Sequence, residues 1–149
     1  MKSTSKETSI RKAKMQDVAA LKRCIERAYA PVKARLSDLP DVSAGLEEDI
    51  ATKTVLVTET GGKISGCIIL NLDGVPAQLE NVAVDPDFKG LGLGRKLMEK
   101  AEEFACKSGA TAIQLATHAN MPENVSLYSH LGWSETLRTG NKIMMKKDL

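Results

Sequence analysis

The sequence predicts one α/β domain built on a mixed sheet, and three observations carry the prediction. Strand and helix signals follow one another in the order β-α-α-β-β-β-α-β-α-β-β, without an internal repeat, linker or low-complexity stretch. The chain has 149 residues, enough for a single core, and 42% apolar with 27% charged residues is the balance of a globular protein. Past its midpoint, "DPDFKGLGLGRKLMEKAEEF" (Asp85 to Phe104) runs from a proline turn through three closely spaced glycines into an amphipathic helix. The domain is read as residues 9–149, after a frayed tail at 1–8.

Each element has its own signal. "SIRKA", Ser9 to Ala13, is a short first strand. "MQDVAALKRCIERAYA" sets Val18, Leu21, Ile25 and Ala28 at helical spacing, and Pro31 is expected to end that helix. Pro40, Gly45 and the acidic Glu47, Glu48 and Asp49 mark an irregular stretch with room for a second short helix. "TVLVTET", Gly61-Gly62 and "KISGCIILNL" form a β-hairpin signal, and "PAQLENVAV" is a further strand that stops at Asp85-Pro86. The third helix runs from about Gly92 to Lys107, with Leu93, Leu97, Ala101, Phe104 and Ala105 as its apolar stripe and Gly109 beyond its end. "TAIQLAT" is the fifth strand, and "PENVSLYSHLG" a short helix opening at Pro122 and closing at Gly132. "WSETLR", Gly140-Asn141 and "KIMMKKDL" read as a closing hairpin.

Composition removes several classes of function. The 21 basic and 19 acidic residues leave a formal charge of +2, which is no concentrated basic face, and 3% aromatic residues offer no stacking platform. No nucleic-acid partner is expected. The opening "MKSTSKETS" lacks the apolar core of a secretory signal, and no later run is long enough to span a bilayer, so a cytoplasmic protein without a membrane partner is expected. Cys24, Cys67 and Cys106 form neither a zinc pattern nor a disulfide framework and read as reduced thiols, with no metal site.

The glycine loop asks for an anion. A strand, a glycine turn and a helix start present backbone N–H groups and a positive dipole end together. Gly90, Gly92 and Gly94 alternate with Leu91 and Leu93, and Lys89, Arg95 and Lys96 add charge. A phosphate or pyrophosphate suits this loop; a tight connection with glycines for packing is the alternative. The dinucleotide fingerprint fails because the third glycine comes one residue early, and a Walker loop fails because Gly94 is followed by Arg95-Lys96.

What survives is the acyl-CoA loop Gln/Arg-x-x-Gly-x-Gly/Ala, occupied by Lys89, Gly90, Leu91, Gly92, Leu93 and Gly94. Together with "LENVAVDP" before it and "MPENVSLYSHLGW" after the fifth strand, the chain resembles the GNAT superfamily of acyl-CoA-dependent N-acyltransferases over nearly its whole length. Asn124, Tyr128, Gly132 and Trp133 stand at the positions of the family's N-x-x-x-Y-x-x-x-G-F/W segment. The resemblance implies a mixed, mostly antiparallel central sheet flanked by helices on both faces and splayed between the fourth and fifth strands. Two positions depart from the pattern. Lys89 replaces the usual Gln or Arg, and Leu91 sits where a basic residue is common.

The resemblance also implies a mechanism. Acetyl-CoA is the cosubstrate, bound by the loop from Lys89 to Gly94, by Arg95 and by Asn124, with its pantetheine arm along the main chain of Val82, Ala83 and Val84; for Asn124, a polar residue of the helix's first turn is the equal alternative. The acetyl group passes to a primary amine by direct attack in a ternary complex. Tyr128 meets the cofactor sulfur as proton donor; a core tyrosine with its hydroxyl satisfied by a backbone carbonyl is the alternative. Glu80, two residues before Val82 and on its face by strand alternation, is a candidate base; a carboxylate tied to a nearby cation is the equal alternative. His118 is a competing base, although a solvated or hydrogen-bonding histidine is the favoured reading at a strand end, and His130 ranks below it. The acceptor, a small molecule in preference to a protein, is expected between residues 29–49 and the closing hairpin. Asp41, Glu47, Glu48 and Asp49 offer either a pull on cationic amines or only a solvated face. Homodimer pairing through the closing hairpin also fits the family. A non-catalytic acyl-CoA-binding regulatory domain is the rival reading, and a nucleotide-binding module ranks third.

Overall fold

A computed structural model describes residues 7–35 and 44–149 of the chain. Seven strands form one sheet in the order β1-β2-β3-β4-β5-β7-β6. They are β1 (Thr8–Lys12), β2 (Thr54–Thr60), β3 (Lys63–Asn71), β4 (Ala77–Val84), β5 (Ala112–His118), β6 (Ser134–Thr139) and β7 (Lys142–Asp148). Every neighbouring pair is antiparallel except β4 and β5, which run parallel and are joined through a helix, as a parallel crossover requires. The helices are α1 (Val18–Arg35), α2 (Leu46–Thr52), α3 (Leu93–Lys107) and α4 (Pro122–His130). The sheet is mixed, mostly antiparallel and flanked on both faces, as expected.

Period-two alternation in β2 and β3 builds two cores. Val55, Val57, Cys67 and Ile69 face α1 and α2, where they bury Leu21, Ile25 and Leu46. Leu56, Ile68 and Leu70 face the other way, onto Leu97, Met98 and Ala101 of α3 and Tyr128 of α4. Strands buried on both faces read as unbroken apolar runs, which is why "TVLV" and "CIIL" carry no polar alternation.

The structure alters three expectations. The first strand begins at Thr8, not Ser9. Pro31 lies inside α1, which continues to Arg35; the ring's fixed φ is itself helical, so the cost is confined to the missing N–H and crowding at the Arg27 carbonyl. On α3 the buried stripe includes Met98, while Phe104 is only half-buried.

A further irregularity matters for the site. Ile69 pairs with Asn81 and Leu70 with Leu79, so Glu80 is the extra residue of a β-bulge in β4. The bulge overturns the strand alternation that set Glu80 on the face of Val82. Val82 packs against the α3 side, while Glu80 and Asn81 both turn to partners of the α1–α2 side.

Candidate active site

The site begins where strand pairing stops. β4 and β5 are matched only at Ala77–Ile113, Gln78–Gln114 and Leu79–Leu115, with a side-chain rung of 3.0 Å from Gln78 Nε2 to Gln114 Oε1. Beyond Leu79, β4 stays with β3 and β5 stays with β7, so the two part. The gap is a cleft of about 620 Å³ lined by Tyr29, Glu80, Asn81, Val82, His118, Asn124, Tyr128 and Lys142, among others. A gap between parallel strands leaves main-chain groups of β4 without a strand beside them, open to an extended ligand.

Tyr128 reaches the cleft from α4, which starts on Pro122 at its first position, where a missing N–H costs nothing. The residue is 6% exposed and its ring meets Trp133 at 6.2 Å between centroids, tilted by 51°. No residue among those described hydrogen-bonds its hydroxyl. Burial alone pushes its pKa up to about 12.

Across the cleft, the half-buried Tyr29 donates its hydroxyl to Asn81 Oδ1 at 2.8 Å, and burial raises its pKa above the ordinary phenol value. Glu80 accepts from Lys53 Nζ at 2.6 Å through Oε1. Lys53 also meets Asp49 at 3.1 Å, and the Glu80 carboxylate, followed by Asp49, raises the lysine's pKa. His118 closes β5 and accepts from the Asn120 N–H at Nδ1, 3.0 Å away. Asn124 turns its amide to the Met121 sulfur at 4.0 Å.

The glycine loop leaves β4 through Asp85, whose carboxylate caps the 3-10 turn Pro86–Phe88 by accepting from the Asp87 N–H at 2.9 Å. Arg27 of α1 holds that carboxylate at 3.0 Å. Burial pushes the Asp85 carboxyl up, but Arg27 and the Asp87 N–H outweigh it and keep it below the usual carboxylate range. Gly90 and Gly92 have φ of +81° and +72°, where side-chain-bearing residues are strained. Gly94 has no such φ, and a Cβ there would meet nothing within 4 Å. Neither backbone geometry nor packing within the chain demands glycine at that position. Among the described residues, no N–H from Gly90 to Arg95 donates to a backbone carbonyl outside the helix, and Lys89, Arg95 and Lys96 make no ion pair. The loop is therefore an open row of donors in a positive surround, which fits a pyrophosphate.

Of the residues named from the sequence, Glu80, Val82, Asn124 and Tyr128 share the cleft with His118. Ala83 and Val84 continue β4 toward the loop of Lys89 to Arg95, and His130 does not line the cleft. Asp49 is engaged with Lys53, Glu47 and Glu48 are exposed, and Asp41 lies outside the described residues. Sequence reasoning missed Asn81 and Lys53. The signal for Asn81 was present: Gln78, Leu79 and Glu80 alternate polar and apolar, and Asn81 then puts a second polar residue directly after Glu80 and breaks the period. Among the described residues, no helix is long and apolar enough to cross a membrane.

Comparison with known proteins agrees with this geometry. The model of the acetyltransferase (GNAT) family matches residues 20–133, and the chain belongs to that family. The matched family is one of acetyltransferases. It is similar to the IAA acetyltransferase of Azospirillum brasilense, 26% identical over 133 residues, covering 88% of this chain and 83% of that protein. It is also similar to the [ribosomal protein bS18]-alanine N-acetyltransferase of Escherichia coli strain K12, 35% identical over 74 residues, half of each chain. The chain spans about half the length, or less, of most curated relatives it matches. The fold superposes on the PaiA N-acetyltransferase of Thermoplasma acidophilum, solved with coenzyme A, with a TM-score of 0.86 at 18% identity, covering 96% of this chain and 99% of that one.

Proposed function

We propose that this chain moves the acetyl group of acetyl-CoA onto a primary amine by direct attack in a ternary complex within the β4–β5 cleft. The observation that carries the reading is Tyr128. It is a buried phenol with an elevated pKa and no hydrogen-bond partner among the described residues, on the wall of a cleft between splayed strands. A phenol of this kind stays protonated at neutral pH and has its proton to give. Its role is to protonate the departing CoA sulfur.

The remaining roles follow the donors. The N–H groups at Gly90, Leu91, Gly92, Leu93 and Gly94 hold the pyrophosphate, with Lys89 and Arg95 neutralising its charge. The unpaired edge of Val82, Ala83 and Val84 aligns the pantetheine arm, and one N–H there polarises the thioester carbonyl. Asn124 contacts the arm from α4. Glu80 takes the proton that the attacking amine must lose, directly or through water. Because the cleft also admits the arm, a small amine suits the remaining space better than a folded protein. The E. coli relative's name adds a peptide N-terminus to the candidates.

Thiol release from acetyl-CoA, measured against an alanine-first peptide, free amino acids, a diamine and an aminoglycoside, tests the reading. At least one amine should release CoA well above the rate without amine. A protein that binds acetyl-CoA yet releases thiol with none of them is a sensor, and the reading falls.

A further inference from the structure

Glu80 poses a problem for the reading above. Its residue is exposed, and a glutamate on a bulge has three rotatable side-chain bonds, so nothing in β4 itself holds its carboxylate at the cleft. A base has to lie within hydrogen-bond reach of the proton it takes, and geometry comes before proton affinity.

Lys53 supplies the missing constraint. It sits at the junction of α2 and β2, where its own N–H donates to the Asp49 carbonyl at 2.8 Å and the next residue is already in the sheet. Its backbone is thus held from both sides. Its ammonium reaches Asp49 at 3.1 Å, one helical turn back, and Glu80 Oε1 at 2.6 Å. The Lys53 and Asp49 side chains keep 27% and 18% of their exposure, so the pair is shielded more than a surface contact. Among the described residues, Glu80 Oε2 has no protein partner. The carboxylate is therefore half committed, with one oxygen anchored and one available to accept.

We propose that Lys53 is a positioning residue of the transfer reaction: clasped by Asp49, it anchors Glu80 through Oε1 and leaves Oε2 directed to the incoming amine or its water. The inference rests on the reading of Glu80 as base. It also gives Asp49 of α2 a function, as the partner that clasps the lysine.

A double-mutant cycle tests it, using the panel amine with the fastest turnover. Lys53→Met should lower kcat about tenfold with the acetyl-CoA dissociation constant changed less than twofold, and Lys53→Arg should recover most of the loss. In a Glu80→Gln background, Lys53→Met should cost less than a further twofold, because the group it positions can no longer take a proton. Parental kcat in Lys53→Met overturns the inference. So does an equal loss in both backgrounds, which a lysine that merely stabilises the fold would give. Parental turnover by Glu80→Gln alone overturns the base assignment itself. A parent that turns over no panel amine overturns the enzyme reading, and the clasp with it.

Discussion

Tyr128 shows how a single side chain acquires its chemistry from its surroundings. Trp133 and the α3-side core desolvate the ring, and desolvation disfavours the phenolate, so the pKa climbs to about 12. The consequence for pH dependence has a definite sign. A proton donor works while protonated, and the proposed donor, Tyr128, loses its proton only as pH rises through about 12. The kcat profile should therefore show no descending limb from Tyr128 below about pH 11. Tyr128→Phe removes one oxygen and keeps the packing, so kcat should fall roughly tenfold to a thousandfold, with acetyl-CoA affinity nearly unchanged. Steady-state kinetics beside calorimetry checks both halves of that statement, and a Phe variant with parental kcat would return Tyr128 to a packing role. Tyr128 was legible in the sequence because its spacing to Asn124, Gly132 and Trp133 is a local pattern. Lys53 was not, because its meaning depends on Glu80, 27 residues away, and no local spacing encodes that meeting.

At the scale of elements, the site is an outcome of how β4 is held. On one side it stays in register with β3; on the other it is released from β5 after three pairs, and the bulge at Glu80 falls at that point of release. Further along β4, Gly66 of β3, opposite Val84, allows the close approach of three elements. A Cβ at this position would lie 2.8 Å from Thr58 Oγ1, 3.0 Å from the Ala83 carbonyl oxygen and 3.2 Å from Leu97 Cδ1. The hydroxyl can rotate away, but a backbone carbonyl in a strand cannot. Gly66→Ala should destabilise the fold by about 1–3 kcal/mol, read as a lower thermal midpoint; an unchanged midpoint would mean that α3 and β4 are less tightly seated than the packing indicates. Most of the element order was legible because period-two and helical patterns are local. The course of α1 past Pro31 was not, since burial of Leu21 and Ile25 in the preceding turns is tertiary information that propensity does not contain. The bulge was written in Glu80-Asn81, although strict alternation conceals it.

Across the whole molecule, the two cores on opposite faces of the sheet leave one opening between its halves, and the glycine loop stands at the head of α3 beyond the end of β4. On the proposed reading, acetyl-CoA spans these features, its pyrophosphate on the loop and its arm in the cleft. Gly94 isolates that claim, because its glycine serves nothing inside the protein: its φ is ordinary and the space beside it is empty. Glycine is a poor helix former, so a side chain in this first turn of α3 should leave the thermal midpoint unchanged or slightly raised. The most direct measurement is calorimetric titration of acetyl-CoA into the parent and Gly94→Val proteins, with a melting curve for each. The account predicts one binding event per parent chain and at least a tenfold weaker one in the folded Val variant, a loss of about 1.4 kcal/mol. A folded Gly94→Val protein that binds acetyl-CoA as tightly as the parent would contradict it.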